Sequence, residues 1–126
     1  MPDHLQHADP LVEKFERYAR AHLAGFSLPA AARAVGASER SLERRLRRVL
    51  GRTVIAYVQD LRVAQAVHRL ETSSDSLDAI AAQVGYKDAV TLRTLLRKKT
   101  GRGVRELRSL SLVSGPARGR RKRAAG

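Results

Sequence analysis

Five arginines fall within nine residues, Arg40, Arg44, Arg45, Arg47 and Arg48, in the stretch SERSLERRLRR. A guanidinium stays charged at any physiological pH and presents a planar fork of donors. The fork matches a phosphate or the O6/N7 edge of guanine. A second group, Arg93, Arg97, Lys98, Lys99 and Arg102, lies about fifty residues further on. Both groups sit beside leucines spaced four apart, Leu42/Leu46 and Leu92/Leu96, so each belongs to a helix with an apolar side and a cationic side. With Leu42, Leu46 and Val49 set inward, a step of about 100° per residue turns Arg40, Ser41, Arg44, Arg47 and Arg48 outward. With Leu92 and Leu96 inward, the outward positions are Val90, Thr94, Arg97 and Lys98.

The whole chain has the same bias. Its 126 residues hold 25 Lys and Arg against 12 Asp and Glu, a formal net charge of +13. Such a chain is expected to meet a polyanion: nucleic acid, or less often an anionic membrane surface. The charge comes in blocks at 38–52, 87–109 and 118–123, separated by the balanced stretch 53–72. The absence of cysteine excludes disulfides, thiolate zinc sites and thiol nucleophiles, and it fits a reducing, cytoplasmic setting. No apolar run approaches the length of a membrane span, so no membrane role is expected. The residues point to no catalytic, metal or cofactor site. His4 and His7 have HxxH spacing but stand in a polar lead-in. Asp75 and Asp78 read as helix-start residues rather than a catalytic pair, and GRGVRE follows no strand and is no nucleotide loop. His22 and His68 are expected at core edges.

The elements that carry the cations follow from their punctuation. Apolar residues recur helically from Leu11 to Leu23. Ser27 precedes LPAAARAV, with proline in the first turn, and Gly36 ends that helix. Ser38 starts the next, which Gly51 stops. The longest helix covers 53–71. Ser76 or Asp75 starts a further helix ending at Gly85, Asp88 starts the one ending at Gly101, and a short helix lies near 104–110. Nothing alternates with period two. The expected fold is all-α with about seven helices. It divides into a flexible lead-in (1–10), a first helix-turn-helix subdomain (11–52), a connecting helix (53–72), a second such subdomain (73–110) and a disordered basic tail (111–126).

The chain repeats itself. SLPAAARAVG (27–36) aligns with SLDAIAAQVG (76–85), and beyond the turn Leu42, Leu46, Gly51, Arg52 and Val54 align with Leu92, Leu96, Gly101, Arg102 and Val104. The second copy carries one more residue in its turn. Ala32 and Ala81 allow two helices to approach closely, and the leucines anchor the second helix of each copy on the first. That is a helix-turn-helix, used twice, and the second helix of the motif lies in a major groove.

With YVQDLRVAQAVHRLE between the repeats and IAAQVGY in the second, residues 11 to 110 resemble the DNA-binding domain of the AraC family of bacterial transcription regulators. The likeness is greatest to regulators whose effector domain resembles a class I glutamine amidotransferase, a domain with no counterpart in these residues. The pattern departs from the family at Val54 and Val104, usually proline, and near Leu96 and Leu107, often phenylalanine and tyrosine. The resemblance implies a sequence-specific transcription regulator that places two recognition helices in successive major grooves, binds as a monomer, and contacts or blocks RNA polymerase. It puts Arg40, Glu43 and Arg44 at base-contacting positions in the first unit. In the second it puts Ala89, Val90 and Thr94 there, with Arg93 close by. The residues themselves suggest Arg40 and Arg44 at guanine and Glu43 accepting from cytosine or orienting a neighbouring arginine. Small apolar groups at 89 and 90 suit thymine methyls. Ser38, Arg47, Arg48, Arg52, Arg97, Lys98 and Arg102 suit phosphates. The connecting helix, about 20 residues at ~1.5 Å each, spans about 30 Å, close to the ~34 Å turn of B-DNA. The competing expectation is a nonspecific nucleic-acid-binding or protein-interaction module derived from such a domain.

Overall fold

The computed structural model describes the backbone of residues 9–114 and the side chains of 9–109. Among these residues it has seven helices and no strand: α1 (Pro10–Ala21), α2 (Leu28–Val35), α3 (Glu39–Leu50), α4 (Val54–Thr72), α5 (Leu77–Val84), α6 (Ala89–Thr100) and α7 (Val104–Ser114). Their starts are set by short polar side chains that take an N–H left over by the first turn. Asp9, Ser27, Ser38, Ser76 and Asp88 accept from Val12, Ala30, Ser41, Ala79 and Thr91, at 2.8 to 3.3 Å. Between the two choices at α5, Ser76 is the cap. The stops at Gly36 and Gly85 are left-handed, with φ of 74° and 103°. There the N–H of the next residue, Ala37 or Tyr86, reaches back to the carbonyl of Ala32 or Ala81 at 3.0 and 2.8 Å. A side chain with a Cβ is strained in that conformation, which is why glycine recurs at this point of both repeats.

The chain divides into two compact units, 1–62 and 63–126. The boundary between the units falls within the expected connecting helix, α4. Its first half gives Val54 and Val58 to the core of the first unit, and its second half gives Val63, Ala66 and Leu70 to that of the second. Two other boundaries also move. Asp9 and Pro10, expected in the lead-in, belong to α1, because one Asp9 oxygen caps the helix and the other takes the Arg45 guanidinium at 2.8 Å. The last helix runs on to Ser114, past the expected tail boundary. His4, His7 and the basic stretch 118–123 lie outside the described residues.

In the first unit Phe15 is fully buried against Phe26 and Tyr57, with ring centroids 6.3 and 5.4 Å apart. Glu16 is also buried, facing Tyr57 and Arg20. Burial and then the Glu16 charge push the Tyr57 phenol up to about 12, against the pull of Arg20, so the hydroxyl remains a donor to the carboxylate. Arg62 closes the unit by donating to the Leu23 carbonyl at 2.9 Å. In the second unit Ile80, Val84, Leu92 and Leu96 are fully buried together with Leu107. Arg108 pins the loop before α5 through the carbonyls of Ser73 (2.9 Å) and Asp75. Val54, Leu96 and Leu107, where the family pattern has other side chains, are all core residues. His22 and His68 are exposed rather than at core edges. His22 ends α1, with its ring stacked on Tyr18 at 4.2 Å.

Candidate nucleic-acid interface

The two helices that follow the tight turns, α3 and α6, are the candidate recognition helices. On α3, Leu42 and Leu46 are fully buried, and Arg40, Ser41, Arg44, Arg47 and Arg48 are exposed. Four of the five clustered arginines therefore form an outward stripe. Arg45 points elsewhere, half-buried in its ion pair with Asp9. Arg40, Arg44, Arg47 and Arg48 line an open concavity of about 600 Å³ together with Glu43 and Thr53. So many like charges on one open face repel one another unless an anion lies among them. Ser38 caps α3 through its oxygen, which leaves the hydroxyl proton as a donor at the helix entrance.

Glu43 has a backbone partner across the turn that follows α3. Its Oε1 accepts the backbone N–H of Val54 at 3.1 Å, eleven residues away, and so satisfies the first orphan donor of α4. Thr53 does the same for Ala56 through Oγ1 at 3.0 Å. The carboxylate expected to accept from cytosine or to orient a neighbouring arginine thus also ties α3 to the start of α4. Sequence reasoning missed Thr53. The signal was its position just before an apolar helical run, where a hydroxyl caps.

On α6, Val90 is 71% exposed and Thr94 is exposed beside it, as the residue pattern required. Ala89 is half-buried and packs on the second core. Asp88 caps the helix. The N–H and hydroxyl of Thr91 hold its carboxyl below 3.8. Arg97, Lys98 and Arg93 are exposed. Arg93 stands next to Thr94 on this helix. It lines a concavity of about 480 Å³ with Arg97 and Arg105, against the start of α7. Arg105 was not expected to take part.

Two expected phosphate ligands have acidic neighbours. Arg52 is ion-paired to Asp60, and Arg102 lies 3.6 Å from Glu106. All four side chains are substantially exposed. Such pairs are worth little in water, so either arginine can exchange its carboxylate for a phosphate at small cost.

The comparisons with known proteins agree with this arrangement. Residues 31–109 match the family model described as a helix-turn-helix domain. The transcriptional activator RhaS of Escherichia fergusonii is 38% identical over 71 residues, which are 56% of this chain and 26% of that protein. The chain thus spans about a quarter of that relative's length. Among solved structures, an AraC-type transcriptional regulator from Chromobacterium violaceum superimposes with a TM-score of 0.78 at 25% identity, covering 86% of this chain and 96% of that one. The DNA-binding domain of AdpA, a global transcriptional factor solved in complex with a target DNA, superimposes with a TM-score of 0.74 at 31% identity, covering 86% and 98%. The duplicated turn, the buried leucines and these matches together place the chain in the helix-turn-helix family as an AraC-type DNA-binding domain.

Proposed function

We propose that the chain is the DNA-binding part of a sequence-specific transcription regulator, with α3 and α6 each entering a major groove at two half-elements about one helical turn apart. The observation that carries this reading is the outward stripe of Arg40, Arg44, Arg47 and Arg48 on the second helix of a helix-turn-helix, with the motif repeated in the second unit. The AdpA domain, which has the same fold, was solved on its target DNA. In the first unit Arg40 and Arg44, nearest the entrance of α3, read guanine edges, while Arg47 and Arg48 hold phosphates. In the second, Val90 and Thr94 present small apolar surface suited to thymine methyls. The first element is therefore G/C-leaning and the second more tolerant. One chain carries both recognition helices, so a monomer suffices, acting at a promoter by contacting RNA polymerase or excluding it. The site of action is the DNA of a bacterial cytoplasm. Among the described residues no helix is long and apolar enough to cross a membrane.

Selection of binding sites from a random duplex pool, at about 150 mM and again at about 300 mM salt, tests the proposal. A motif recovered at both supports base reading. Recovery of no motif, with affinity collapsing as salt rises, would leave phosphate attraction alone and overturn it.

A further inference from the structure

The two units are built from one repeat, yet the junction after the recognition helix differs between them. Aligning Leu42, Leu46 and Gly51 with Leu92, Leu96 and Gly101 pairs Glu43 with Arg93, Arg47 with Arg97, Thr53 with Gly103 and Ile55 with Arg105. In the first unit, Glu43 and Thr53 accept the N–H groups at the start of α4. The second unit has arginine and glycine at those positions. Arginine has no acceptor and glycine has no side chain, so neither can cap α7. The glycine also admits a cation. A Cβ at Gly103 would lie 2.5 Å from an Arg97 guanidinium nitrogen, so the bare backbone is what lets that group rest against the start of α7. Arg93 and Arg105 line the same concavity of about 480 Å³, as does Glu106, which also lies 3.6 Å from Arg102.

Three arginines thus line one concavity at the start of α7, where the backbone already carries partial positive charge. Even with Glu106 in the same lining, the concavity keeps a net positive charge that attracts an anion. Position along α6 identifies that anion. Arg97 is seven residues beyond Val90, nearly in line with it on the helix surface and about 10 Å further along the axis. Arg93 is turned from that line toward α7. With the entrance of α6 in a major groove, this end of the helix meets the flanking strand.

We propose that the concavity lined by Arg93, Arg97 and Arg105 is a clamp for a DNA backbone phosphate, so that the second unit anchors the chain more than it reads sequence. This rests on the DNA-binding reading above. It moves Arg93 from base contact to phosphate contact and adds Arg105.

The test is the salt dependence of binding, measured by fluorescence anisotropy on the selected duplex and on the same duplex with its second element scrambled. Arg93→Ala and Arg105→Ala should each weaken binding to both duplexes alike, by roughly threefold or more, and flatten the slope of log K against log salt by about 0.9. Gly103→Thr restores the residue of the first unit. It should hold or raise the melting temperature by capping α7, yet weaken binding and flatten the slope by displacing Arg97. A loss that merely reflected misfolding would lower stability and affinity together. An unchanged slope in Arg93→Ala and Arg105→Ala, with sequence preference intact, overturns the clamp and leaves the function standing. Arg93→Ala relaxing one base position without changing the slope returns Arg93 to base reading and equally overturns it. Failure of the wild type to prefer any sequence removes the functional reading and the clamp with it.

Discussion

Replacing Glu43 by alanine separates two roles that a glutamate on a recognition helix can have. The structure ties its Oε1 to the Val54 N–H at 3.1 Å in a half-buried position. A hydrogen bond to a charged acceptor contributes about 1.5–3 kcal/mol, and a side-chain cap typically about 1. Thr53 still caps Ala56 in the variant, so only one orphan donor is exposed, and water can reach part of it. The expected loss is about 1–1.5 kcal/mol, which for a domain of this size lowers the melting temperature by roughly 5–10 °C. Removing a negative charge from the arginine-lined concavity acts in the other direction on DNA, and nonspecific affinity at low salt should rise. Glu43→Gln keeps an acceptor at the same reach and should recover much of the stability while retaining the gain in affinity. Thermal melts monitored by circular dichroism, paired with site selection on each variant, decide the matter. A variant that melts like the wild type but loses preference at one base pair would refute this reasoning and return Glu43 to the groove.

Arg44→Ala should cost about 1–3 kcal/mol on the preferred duplex and relax one base position, whereas Arg47→Ala should weaken all sequences alike, both read by competition binding. Phe15→Ala removes a fully buried ring that touches Phe26 and Tyr57, and should lower the unfolding free energy by about 3–5 kcal/mol in urea titration. Acid should destabilise the first unit through Asp9. Burial alone would raise its carboxyl, but the Val12 N–H and Arg45 outweigh that and hold it below 3.8. A depressed folded-state value means stability that is present above the unfolded value and lost as pH falls through the folded one. Asp9→Asn should therefore be less stable near neutrality and show a shallower loss between about pH 5 and pH 3 than the wild type. Parallel acid titrations of the two proteins would contradict this.

What the sequence revealed and what it hid divide by range. The helices of both repeats, their polar starts and their glycine stops were legible because each signal acts within four residues of its effect. The outward arginine stripe was legible for the same reason, since Leu42 and Leu46 set the helix rotation. The partnerships that escaped reach much further. The second oxygen of Asp9 finds Arg45, 36 residues away. Glu43 finds Val54 across the turn after α3. Arg93 was set near the base-contacting positions by the family resemblance, and only the placement of α7 shows that it shares a concavity with Arg97 and Arg105. The long helix read as one connector because its helical pattern is continuous, and only the packing shows that its halves serve different cores. The repeat did contain part of the missing information. Comparing Glu43 with Arg93 and Thr53 with Gly103, rather than only the matching positions, marks the junctions as different.

The most direct test of the central claim is hydroxyl-radical footprinting of the selected duplex, with wild type, Arg44→Ala and Val90→Asp side by side. Two recognition helices on one chain predict two protected patches about 10 base pairs apart, with Arg44→Ala weakening one and Val90→Asp the other. A single patch, or two patches that fade together in both variants, would contradict independent reading by α3 and α6.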